Sequence, residues 1–192
     1  MWFFKDSLTR KSVKAISAAL LVVSSLTACG QVAGTAAPDI SPSALLDSAI
    51  AAQNAGDSAT AKSQLEQIVN EVDPLEEPEL VTTAYFNLGV LAQKANDLNG
   101  AIANYRRALV IAPDYKPAIF NLALAITPID AASAQMYYSM LVSISPEDAN
   151  ALYNFGLLKY QMGDKDGGRK LLKRAFAVAP ELEAQLPDDV NL

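Results

Sequence analysis

Apolar and small residues between Tyr85 and Pro113 fall at Tyr85, Leu88, Gly89 and Ala92, then again at Ala101, Ile102, Tyr105, Ala108 and Leu109. Steps of three and four put each set on one face of a helix, and the Ala95–Gly100 stretch between them is rich in turn formers. Pro113 ends the second helix, because it cannot donate the next backbone hydrogen bond. The pattern predicts a helical hairpin of about 34 residues. It recurs three times, first with Leu45, Ala49 and Ala52, a turn at Gly56-Asp57, then Ala61, Leu65 and Ile68. A third copy carries Ile119, Leu122 and Ala123, then Ala134 and Tyr138; a fourth carries Leu152, Phe155 and Gly156, then Gly168, Leu172 and Ala175. Prolines 74, 113, 146 and 180 close the four units.

The aromatic, Leu-Gly, Ala, aromatic, Ala and Pro positions of the best copy (Tyr85, Leu88, Gly89, Ala101, Tyr105, Ala108 and Pro113) resemble the tetratricopeptide repeat. That resemblance implies an all-α protein. About four antiparallel hairpins would stack into a right-handed α-solenoid over residues 42–182, with repeats near 42–74, 82–115, 116–148 and 149–182. Residues 183–192 are left as a tail. The copies depart from the pattern in specific places. Ser48 replaces a large residue, and residues 75–80, LEEPEL, insert an acidic link whose Pro78 suits the first turn of the next helix. The Thr127-Pro128-Ile129-Asp130 turn is one residue short. Gly167-Gly168 should weaken its helix by about 1 kcal/mol per glycine.

Ahead of the repeats, Lys5, Arg10, Lys11 and Lys14 precede an uncharged run from Ala15 to Ala28, too short for a comfortable membrane span. The run ends in Leu26-Thr27-Ala28-Cys29, which resembles a bacterial lipobox. The resemblance implies cleavage after residue 28, a diacylglyceryl group on Cys29, and a tether over 29–41. The domain would then be anchored on the extracytoplasmic side of a membrane in a bacterial cell envelope. The alternative is a free cysteine at the end of an ordinary leader. Removing residues 1–28 takes four basic and one acidic residue from the chain's 15 and 21, leaving a net charge of −9. Such an acidic body would not adhere to an anionic bilayer without the lipid, and nucleic acid is an unsuitable partner. One cysteine and no histidine rule out internal disulfides and histidine-based metal sites or general bases. No cofactor is called for. The carboxylates cluster in loops, so the sequence gives no enzyme site.

In the family, first helices of successive repeats line a concave groove. Carried over by position, the groove would present Leu46 and Ile50; Phe86, Asn87, Val90 and Gln93; Phe120, Asn121 and Leu124; and Tyr153, Asn154 and Leu157. The recurring aromatic-Asn pair suits a peptide or helix of a partner protein, since an amide both donates and accepts and the ring adds apolar area. Equally, Asn is ordinary at this family position and the rings could serve packing alone. A clamp for a peptide's terminal carboxylate is disfavoured, because its positions hold Leu46, Ile50, Pro117 and Asn121 in place of Lys and Arg. A basic strip on the last helix (Lys165, Arg169, Lys170, Lys173, Arg174) could meet an acidic partner or be a solvated face. Leu171, Phe176 and Val178 would face a missing fifth repeat, to be covered by the tail through Leu182 and Leu186, by a partner, or by a second copy in a homo-oligomer.

Overall fold

A computed structural model of the chain describes residues 40–191. Four aspartates and four two-helix units organise it. Helices α1 (Pro42–Asn54), α3 (Pro78–Lys94), α5 (Lys116–Ile126) and α7 (Ala149–Gln161) each turn back into α2 (Ser58–Glu71), α4 (Leu98–Ile111), α6 (Ala131–Ile144) and α8 (Lys165–Val178). Every second helix starts on an aspartate. Asp57, Asp97, Asp130 and Asp164 accept from the backbone N–H of Thr60, Gly100, Ser133 and Gly167 at 2.9–3.0 Å, satisfying donors that the helix cannot pair internally. A residue with positive φ precedes three of these caps: Gly56 (85°), Asn96 (59°) and Gly163 (97°). The α5–α6 turn has none. Pro128 sits there, α5 is only 11 residues long, and Ile129 and Asp130 both donate back to the Ile126 carbonyl. This is the different bend that the short turn foretold.

Among the described residues there is no strand, and the helices pile up in sequence order as an α-solenoid. Leu45, Ala49, Ala61, Leu65, Ile68, Ala84 and Leu88 knit α1, α2 and α3 together; Ala123, Ile126, Tyr138 and Phe155 do the same for α5, α6 and α7. Fully buried alanines mark the close crossings, and two tyrosines fill the widest gaps. Tyr105 lies against Gly89, where an added Cβ would strike the ring at Cδ1, 2.6 Å away. The acidic stretch after the first hairpin is half link and half helix: Leu75 to Glu77 lie in a turn before Pro78 opens α3, and Leu80 packs into the first core cluster. The unfavourable Gly168 also has a reason. Its backbone meets that of Gly156 so closely that neither position leaves room for a side chain.

Beyond α8 the chain makes a 3-10 helix, Pro180–Gln185, and then runs back over the last hairpin. Leu182 and Val190 are buried among Leu152, Tyr153, Tyr160 and Leu172, with Leu186 and Phe176 packed at the margin. The open end of the solenoid is thus closed by the chain's own tail.

Candidate functional site

The concave side is built by α1, α3, α5 and α7, whose opposite faces are committed to the core. Phe86 is half-buried, its ring 5.9 Å from that of Tyr105 and edge-on to Tyr115 at 5.6 Å. Phe120 is likewise half-buried and edge-on to Tyr138 at 6.4 Å. Leu46, Val90, Leu124 and Leu157 lie against the core clusters with part of each side chain accessible, and Ile50 is half-buried as well. Gln93 is exposed at the end of α3. Phe86 and Phe120 each support the interior with one part of the ring and leave another part accessible.

The asparagines are more constrained than sequence reasoning allows. Asn87 donates through Nδ2 to the Thr83 carbonyl and Asn154 donates to the Asn150 carbonyl, both at 2.8 Å and both one turn back along the same helix. One N–H of each amide is thus engaged, and the second N–H and the side-chain oxygen are left for a ligand. Gln93 behaves in the opposite way: its Oε1 accepts from the Tyr105 hydroxyl at 2.8 Å, so its amide N–H groups are what it offers. Burial pushes the Tyr105 phenol up to about 12, against a lowering hydrogen bond with Asn121. Tyr105 is therefore a neutral donor at physiological pH, and its hydroxyl holds the Gln93 side-chain oxygen in place.

Tyr153 is a correction to the expected groove. It is only 8% exposed and its hydroxyl donates to the Gln185 carbonyl at 2.6 Å, so the tail lies over it. Burial raises its pKa. Asn154 and Leu157 remain half-exposed beside it. Of the three residues assigned to the open end, Leu171 and Phe176 are half-buried under or beside the tail, whereas Val178 is 49% exposed and takes no part in that cluster. Leu182 and Leu186 cover this end as the sequence suggested, and the polar part of the tail's hold was not legible in advance, because it depends on backbone groups. Arg169 Nε donates to the Asn191 carbonyl at 2.7 Å, and the Asn191 N–H donates to the Tyr160 hydroxyl at 3.3 Å.

Those contacts also account for much of the basic strip. Arg169 lies over the Tyr160 ring and pairs with Asp166; Lys165 lies over the same ring; Arg174 donates to the Pro146 carbonyl at 2.7 Å. Lys170 and Lys173 are exposed.

Two depressions flank the concave face. One of about 580 Å³ lies between α1 and α3, lined by Leu46, Leu80 and Thr83 with Glu76, Glu77 and Glu79 at its rim. The other, about 270 Å³, lies between the starts of α5 and α7, with Phe120 as floor and Lys116, Asp148 and Asn150 around it. Both are shallow and open to solvent. Among the described residues no group of His, Cys, Asp or Glu could hold a metal ion, and no helix is long and apolar enough to cross a membrane. Cys29 and the leader lie outside the described residues.

Three segments, residues 43–73, 82–115 and 149–182, match the family described as Tetratricopeptide repeat, together just over half the chain. Solved structures share the fold. A tetratricopeptide repeat protein from Parabacteroides merdae ATCC 43184 superposes with a TM-score of 0.65 at 21% identity, over 72% of this chain and 54% of that one. This chain therefore spans about half the length of that relative. MamA superposes with a TM-score of 0.64 at 23% identity, over 77% of this chain and 82% of its own. YrrB, described as a TPR protein with an unusual peptide-binding site, gives 0.63 at 16% identity over 77% and 76% of the two chains. At these identities the likeness speaks for the fold alone. No curated protein matches the sequence.

Proposed function

Because the chain belongs to the tetratricopeptide repeat family, we propose that it is a membrane-tethered, extracytoplasmic interaction scaffold whose concave face holds a peptide or helix of another envelope protein. The observation that carries this reading is the half-buried Phe86 and Phe120 at matching positions of successive repeats, each beside an asparagine. Asn87, held to its own helix through one N–H, keeps its side-chain oxygen for a backbone N–H of a bound segment, and Asn154 does the same two repeats on. The flanking Phe86 and Phe120 supply apolar contact without ordering cost, since neighbouring tyrosines already hold them. Peptide binding by the neighbour YrrB, as its description states, lends analogy only. The lipid at Cys29 would place the groove near a membrane surface of the envelope, which fits the basic start, the uncharged run and the Leu26–Cys29 motif.

The test is affinity capture of the full chain from its own envelope, with wild type compared against Asn87→Arg/Asn154→Arg. Both positions lie on the concave face with no role in the core, so the variant keeps its fold. Loss of one specific co-purifying protein supports the reading; an unchanged set of partners refutes the groove. Cys29→Ser, followed by membrane fractionation, tests the anchor separately. The chain should leave the membrane fraction.

A further inference from the structure

The last repeat differs from the two before it in what lies on its concave face. Tyr153 and Leu157 stand where Phe86 and Val90 stand in the second hairpin, and Phe120 and Leu124 in the third. Phe86 and Phe120 keep part of each ring accessible, whereas Tyr153 is 8% exposed and its hydroxyl donates to the Gln185 carbonyl at 2.6 Å. Tyr153 and Leu157 share one apolar cluster with the tail residues Leu182, Leu186 and Val190. The chain's own tail therefore sits on the fourth repeat's share of the groove.

That cover has two parts. Leu182 belongs to the 3-10 helix and is buried against the last hairpin. After Gln185 the helix stops: Leu186 is extended (φ −65°, ψ 131°), and Pro187 cannot donate the next backbone bond. From Gln185 to Asn191 only Val190 is buried, Leu186 is half-buried, and the other five residues are exposed. Tyr153 holds this stretch by the Gln185 carbonyl, Arg169 holds it by the Asn191 carbonyl, and the Asn191 N–H reaches the Tyr160 hydroxyl. Every tail group in those bonds is backbone, so the tail's own sequence enters chiefly through the aliphatic side chains of Leu186 and Val190. Few buried contacts and exposed hydrogen bonds mark a segment that opens without unfolding what it covers.

We propose that residues 185–191 are an intramolecular ligand of the fourth repeat, a strap that closes this end of the groove until a bound segment displaces it. The strap rests on the reading of the concave face as a peptide groove and adds a regulation to it. A partner segment lies freely along Phe86 and Phe120 and reaches Tyr153 only by exchange with the tail. The segment that can do so carries what the tail carries: a backbone carbonyl for the Tyr153 hydroxyl, followed by an aliphatic side chain. Tethered beside its site, the tail competes at an effective concentration on the order of millimolar. It thus excludes weakly held segments and yields to one already seated along the other repeats.

Photo-crosslinking of the full chain in its own envelope tests this. Phe86→p-azidophenylalanine and Tyr153→p-azidophenylalanine are each made with the native tail and with Leu186→Ser/Val190→Ser, which removes the aliphatic groups that the strap buries. Leu182 is left in place, and unchanged helical circular dichroism shows that the last hairpin stays folded. Position 86 reports the groove alone and should join one foreign protein with either tail. Position 153 should join chiefly its own chain's tail when that is native. With the released tail it should join the protein captured at 86, and that adduct should rise by about tenfold. Equal capture of the protein at 153 with both tails overturns the strap. So does the lack of a tail adduct with the native tail, or of a foreign adduct after release. Silence at 86 refutes the groove and the strap with it, whereas labelling at 86 combined with failure at 153 refutes the strap alone.

Discussion

Replacing Gly168 by alanine is expected to weaken the last hairpin, although the same change at an open helical position would strengthen it by about 1 kcal/mol. An added Cβ would stand 2.6 Å from the Gly156 carbonyl oxygen and 2.9 Å from both the Cβ and the backbone nitrogen of Tyr160, where ordinary contact begins near 3.4 Å. Two of those three atoms are backbone and cannot rotate aside, so α7 and α8 must separate. Overpacking of this kind costs about 1–3 kcal/mol, and rigid neighbours place it in the upper part of that range. Subtracting the gain in helix propensity leaves a net loss of about 1–2 kcal/mol. Stacked repeats do not open as one unit, so the assay is hydrogen exchange read segment by segment. Amides of α7, α8 and the tail should lose protection by roughly five- to thirtyfold, while α1 and α2 stay unchanged. Protection in α8 that rises, or stays level, would refute the reasoning that close backbone approach holds this hairpin.

The tail should matter to the same degree: Leu182→Ala removes a nearly buried side chain from the last cluster and should cost about 2 kcal/mol, read as faster proteolysis beyond Ala179. Tyr105 and Tyr138 have pKa values raised by burial from 10.0 to about 12, each opposed by a side-chain hydrogen bond, to Asn121 and Thr127 respectively. Their contribution is therefore fully present below pH 10.0 and is lost as the pH rises toward about 12, because the unfolded chain ionises first. An alkaline titration of tyrosine absorbance with parallel circular dichroism should show these two phenols ionising only as the helices unfold; ionisation near 10.0 with helices intact would contradict their burial.

The periodic placement of small and large residues determined the helical hairpins, their number and the solenoid class, because each repeat meets only its neighbours and the packing code is local in sequence. The aspartate caps are equally local, since a cap acts within three residues of its own position, but the sequence showed Asp57 and Asp130 only as turn residues. What needed the folded chain involves partners far apart or polar atoms without a periodic signature. Gly168 read as a weak point until Gly156 came up against it. Asn87 and Asn154 read as free amides until each was seen bonding its own helix. Tyr153 read as groove surface, but Gln185, 32 residues later, covers its hydroxyl. Met136, Met140 and Ile144 form a periodic apolar stripe on α6, yet periodicity does not say which apolar face is buried. The repeat pattern had already set Ala134 and Tyr138 on the inner face, and the packing of the helices adds that Met140 meets solvent.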